Sequence, residues 1–213
     1  MSTSHSSNRR RVIAGMSLIG LSVAFLADTA TGLMTRPVSS SQTMIALAGF
    51  VTVLTAVLMP AAMLGLSQLL RASADRAGLL GAAFALIGWA AATRITTVIQ
   101  LDTLTGSVIA GGEGVSAIGS ALQSAPAVFV SIFPVGLFFP LGIILLGLAL
   151  FRWHPASRWA GLLLALGGLL FPVGRAAGIG FAIVACDITL GAAFAALGWL
   201  ILTRPAAWET SSS

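Results

Sequence analysis

The chain contains no lysine: all 11 of its basic residues are arginine. That excludes chemistry built on a lysine Schiff base, retinal-type pigments included. A single cysteine, Cys186, excludes intrachain disulfides, Cys-x-x-Cys redox pairs and iron–sulfur ligation. With only two histidines, His5 and His154, a bis-histidine haem has no ligands within the bundle and zinc chemistry is poorly served. The motifs His-Glu-x-x-His, Gly-x-Ser-x-Gly and the phosphate-binding glycine loop are all missing. No catalytic residue, metal ligand or cofactor is therefore nominated, and an enzyme acting on lipid is disfavoured for want of a nucleophile and base.

Charge is also scarce. Charged residues make up 8% of the chain, against roughly a quarter in an ordinary soluble domain, while 57% is hydrophobic and the mean hydropathy is +1.01. Such a chain cannot cover itself with polar surface, so lipid is the solvent its composition fits. Crossing the hydrocarbon core takes ~20 mostly apolar residues. Six stretches meet that length: Val12 to Met34, Thr43 to Leu70, Gly78 to Leu101, Pro126 to Phe151, Trp159 to Ala177 and Gly180 to Thr203. The expected fold is all-α, a polytopic transmembrane bundle of about six spans.

Arginine placement sets the orientation. Arg9, Arg10, Arg11, Arg71, Arg76, Arg152, Arg158 and Arg204 fall on one side, Arg36 and Arg175 on the other, and Arg94 lies within a span. Basic residues are retained on the cytoplasmic side, so both termini are expected inside. The high pI of about 11.6 thus reflects orientation and not nucleic-acid binding. The chain divides into a polar tail over 1–11, a six-helix domain over 12–204 with an external loop at 102–125, and a second cytoplasmic tail over 205–213. One alternative stays open at the start: Arg9 to Arg11 before the apolar run Val12 to Leu26 also resembles a secretory signal.

A parallel internal repeat is suggested by Pro60, Arg71, Arg76 and Arg94, which recur as Pro140, Arg152, Arg158 and Arg175. Ala77-Gly78-Leu79-Leu80 likewise echoes Ala160-Gly161-Leu162-Leu163.

The most informative residues are ionisable groups inside the spans: Asp28, Arg94 and Asp187, with Arg175 at a span end close by. By count, each of the first three lies on the order of 10 Å below the external boundary. A charge near a span centre costs ~2.5 to 3.5 kcal/mol on insertion scales, so these side chains should face one another or water. Small residues flank them: Ser17, Gly20, Ala24, Thr31 and Gly32 near Asp28, Ala83, Ala90, Ala91 and Thr97 near Arg94, and Gly191 and Gly198 after Asp187. Two readings follow, an ion-pair network that fixes helix register, or an ion or proton pathway through Asp28, Arg94, Asp187 and Arg175. Prolines at 60, 134, 140 and 172 each remove a backbone hydrogen bond, so kinks are expected at Pro60, Pro134, Pro140 and Pro172. Kinked helices line many transporter sites, and they also occur in spans without transport.

From Phe133 to Arg175 the chain reads FPVGLFFPLGIILLGLALFRWHPASRWAGLLLALGGLLFPVGR. Its Gly147, Arg152, Pro155, Arg158, Gly161 and Gly167 mark a helical hairpin. This segment resembles one shared by uncharacterised bacterial multi-pass membrane proteins, known only as a domain of unknown function. The resemblance implies a bacterial inner-membrane setting and no particular activity. The expected partners are membrane lipids and, through small-residue helix faces, further copies of the chain, with no nucleic acid. The functional expectation is transport or sensing of a proton, ion or small solute; the alternative is a non-catalytic structural or interaction protein.

Overall fold

The computed structural model describes residues 3–34, 42–71, 76–91, 135–153, 157–175 and 179–204. Six helices occupy them: α1 (Thr3–Met34), α2 (Gln42–Arg71), α3 (Arg76–Ala91), α4 (Phe138–Trp153), α5 (Arg158–Arg175) and α6 (Gly180–Thr203). No strand occurs among the described residues. Within α1, α2 and α6, the segments Asn8–Ala30, Gly49–Leu70 and Gly180–Thr203 are long and apolar enough to cross a bilayer. The other three helices are apolar but shorter. Pro140 accounts for the start of α4: it has no N–H for the Gly136 carbonyl, and the helix is interrupted at Leu137 just before it. Pro60 and Pro172 lie inside α2 and α5, whose helical runs continue past them. Pro134, residues 102–125 (expected to form an external loop), His154 and the tail 205–213 lie outside the described residues.

Each helix runs antiparallel to its neighbours, as paired contacts show. Gly15 and Gly198 meet at one end of α1 and α6, and Thr29 and Asp187 at the other. Ala14 and Leu58 of the α1–α2 pair abut Gly65 and Gly20 respectively, and Leu70 of α2 lies on Gly78 of α3. Gly81 and Gly88 of α3 back onto α4 at Gly142 and Phe139, α4 meets α5 through Gly147 and Gly161, and Gly174 of α5 lies on Ile183 of α6. The order around the bundle is therefore α1, α2, α3, α4, α5, α6 and back to α1. The α1 start and the α6 end share one end of it, together with the exposed Arg9, Arg10, Arg76, Arg152, Arg158 and Arg204.

Aromatic rings fill the middle. Phe171 of α5 meets Phe139 of α4 with centroids 4.9 Å apart, Phe139 meets Trp89 of α3 at 5.1 Å, Trp89 meets Phe25 of α1 at 5.9 Å, and Phe25 meets Phe194 of α6 at 5.8 Å. Phe139 and Phe194 are wholly buried, and Leu18, Leu21, Met59, Met63, Leu66, Ile143 and Leu146 continue the core around them. The outer surface is equally apolar, with Val23, Phe50, Val57, Leu64, Leu148, Leu169, Phe181 and Ile188 all exposed. Apolar residues inside and outside are what a bundle solvated by lipid requires.

Between lipid and core there is no hydrophobic gradient, so association depends on close packing. Reciprocal glycine contacts supply it at three interfaces. At α4–α5, a Cβ on Gly147 would stand 2.5 Å from the Ala165 nitrogen and 2.6 Å from the Gly161 oxygen. Gly81 with Gly142, and Gly15 with Gly198, repeat that arrangement at α3–α4 and α1–α6. Of the two glycines related by the sequence repeat, Gly161 meets the Gly147 and Phe151 backbones while Gly78 meets the side chains of Leu70 and Ala149.

Candidate functional site

Gly15, Ser22 and Thr29 recur every seven residues along α1 and form the face that meets α6. Opposite them stand Gly198, Gly191 and Asp187. The separation of the two helices grows along this seam. A Cβ on Gly198 would come within 2.7 Å of the Gly15 oxygen, whereas one on Gly191 would meet Leu26 and Ser22 at an ordinary 3.5 Å. Farther along, the gap admits two side chains, and there the Thr29 hydroxyl donates to Asp187 Oδ2 at 2.8 Å. The end of the seam away from the exposed arginines thus holds its polar pair where the helices diverge.

Asp187 is completely buried, and Asp28, next to Thr29 in the chain, is half-buried. The Thr29 hydroxyl also lies 3.2 Å from the Phe25 carbonyl. A hydroxyl carries one proton and two acceptor lone pairs, so the position between a carboxyl and a carbonyl has a specific consequence. With Asp187 ionised, Thr29 donates to it. With Asp187 protonated, the carboxyl donates to Thr29 and Thr29 donates to Phe25. Both protonation states keep a hydrogen bond, which matters where water is excluded and an unmet polar group costs ~1–3 kcal/mol.

The remaining nominated residues are placed less fully. Arg94 lies outside the described residues, and Arg175 is the last residue of α5, its backbone at the Asp187 end and its side chain outside the description. Asp28 and Asp187 are thus brought to the same end of one helix pair. Sequence alone does not single out Thr29; its seven-residue spacing from Ser22 and Gly15 is the signal that marks it. The small-residue stripes divide. Gly191 and Gly198 do face α1, but Gly20 lies on Leu58 of α2, and Ala83 and Ala90 of α3 face outward. On α3 it is Gly81, Ala85 and Gly88 that approach α4.

Cys186, adjoining Asp187, is buried and donates its thiol to the Gly167 carbonyl at 3.3 Å, tying α6 to α5. Among the described residues, no three His, Cys, Asp or Glu side chains come together to hold a metal ion. Compared with protein-family models, curated proteins and solved structures, the chain matches none.

Proposed function

We propose that this chain is a multi-pass protein of a bacterial inner membrane, with both termini cytoplasmic, that moves or senses a proton, ion or small solute through Asp187, Thr29 and Asp28. Arg94 and Arg175 are assigned to the same pathway. The observation that carries the reading is the Thr29 hydroxyl between Asp187 and the Phe25 carbonyl. It lets a buried carboxyl gain or lose a proton while staying hydrogen-bonded. The orientation is supported by the six exposed arginines at the opposite end, since basic residues stay on the cytoplasmic side. Asp187 then lies toward the external face.

A second reading is favoured by one observation, the full burial of Asp187 in a packed helix seam. There the carboxyl fixes the register of α1 against α6 and carries nothing. Asp187→Asn separates the two, because the amide keeps the shape and hydrogen-bonding capacity but cannot take up a proton. Proteoliposomes loaded with a pH-sensitive dye, together with a melt of the same protein, are the test. Proton movement lost with an unchanged melt supports the pathway; an unaltered flux refutes it, and a lowered melting temperature with parallel loss of flux favours the structural role.

A further inference from the structure

A cleft of about 350 Å³ opens at the arginine-bearing end, between the start of α5 and the end of α6. Ser157, Trp159, Ala160, Ala196, Trp199, Leu200, Thr203 and Arg204 line it. Its floor is Ser157 and Ala160, both buried, and its flanks are two large aromatic side chains turned outward, Trp159 at 79% exposure and Trp199 at 66%. Arg204 is exposed at its mouth. This site is remote from Asp187 along α6 and has no part in the pathway above.

We infer that the cleft holds the headgroup of an anionic glycerophospholipid, its phosphate on Arg204 and its acyl chains running out past Trp159 and Trp199. Three features converge on that occupant. Tryptophan settles at the level of lipid headgroups, where one edge of the ring is wet and the rest apolar, and here two of them frame one opening. The planar guanidinium of arginine takes a phosphate through paired hydrogen bonds, and Arg204 is the only charged side chain in the lining. The surrounding end supplies matching charge, because its described residues include exposed Arg152 and Arg158 and no carboxylate. The volume is at the small end of the ~300–1,000 Å³ usual for ligand pockets, which suits a headgroup with its chains left outside in lipid.

The inference requires membrane residence but not the Asp187 pathway. Native mass spectrometry of the full chain in non-ionic detergent, with phosphatidylglycerol and phosphatidylcholine of identical chains supplied equally, tests it directly. Preferential retention of phosphatidylglycerol is expected. Arg204→Gln lowers that retention about fivefold, the weight of one basic residue near an anionic lipid surface. The fold is not at risk, because α6 is closed by the Arg204 backbone N–H donating to Leu200 O, which the substitution leaves in place. Arg10→Gln, an exposed arginine of the same end, leaves retention unchanged, and Trp159→Ala lowers it. Equal retention of the two lipids overturns the inference, as does an Arg10→Gln effect equal to that of Arg204→Gln, which would mean diffuse attraction. Unchanged retention in Trp159→Ala also overturns it, and so does displacement by millimolar inorganic phosphate, which would make the site one for the free ion.

Discussion

Replacing Gly147 with alanine adds one methyl group where α4 and α5 touch. The new carbon would stand 2.5 Å from the Ala165 nitrogen and 2.6 Å from the Gly161 oxygen. Both are backbone atoms, so no side chain can swing away. Carbon contacts settle near ~3.5–4.0 Å, so the helices must separate by about 1 Å at this point, and such a gap forfeits roughly a quarter to a half of each dispersion contact around it. Overpacking of this kind costs about 1–3 kcal/mol. Alanine also gains ~1 kcal/mol over glycine in helix propensity, which would mask part of the loss. Gly191→Ala is the control: its added carbon meets Leu26 and Ser22 at 3.5 Å, ordinary contact, while the propensity gain is the same. The difference between the two variants therefore isolates packing, with Gly147→Ala less stable than Gly191→Ala by about 1–3 kcal/mol. Reversible unfolding in mixed micelles, followed by circular dichroism, measures it. Equal stabilities, or the opposite order, would refute the argument that reciprocal glycine contacts hold the bundle together.

Phe139→Ala removes the ring that joins Trp89 to Phe171 and leaves a void at the centre. In a water-soluble core that change costs about 3–5 kcal/mol, part of it lost transfer from water. In lipid the transfer part falls away and the cavity part remains, so about half that loss is expected in the same unfolding assay. Cys186, the sole cysteine, reports opening of the α5–α6 interface, because its thiol is buried against the Gly167 carbonyl. Maleimide labelling in mild detergent should run at least about a hundredfold slower than in the unfolded chain, and fast labelling would contradict the packing there.

Hydropathy made the helices legible because length and apolarity alone report a span. It does not report neighbours. A helix solvated by lipid is apolar on every side, so the periodic contrast that points a soluble helix toward its core is absent. Small residues replace that signal only in part. On α6, Gly191 and Gly198 marked the face that meets α1, but on α3 the alanines at 83 and 90 point outward and the glycines at 81 and 88 make the contact. The methyl of alanine is tolerated almost anywhere, whereas a glycine kept in a helix at a propensity loss of ~1 kcal/mol more often has a backbone pressed against it. Thr29 is inconspicuous in the sequence for a different reason. A hydroxyl in a membrane helix usually bonds to its own backbone, as Thr189 does to Ala185 and Thr203 to Trp199, and only the position of Asp187 gives Thr29 a second acceptor.

The shape of the α1–α6 seam bears on how a charge change at Asp187 would be felt. At Gly15 and Gly198 the two backbones touch, with the side chains of Leu202 and Ile19 packed against the same contact. At Gly191 there is room for a methyl group, and at Thr29 and Asp187 the helices are joined through side chains. Closer approach at the first point is blocked by hard-core repulsion, whereas at the last point separation is resisted by a hydrogen bond worth ~0.5–1.5 kcal/mol net. The seam is therefore tight and backbone-limited at its glycine end and wider, held through side chains, at the carboxyl. Under the proposed function, protonation of Asp187 alters the hydrogen bond that joins the two helices at the wide end of the seam. The widening of the seam explains why the polar residues sit there: a carboxyl and a hydroxyl need the width that a glycine–glycine contact denies.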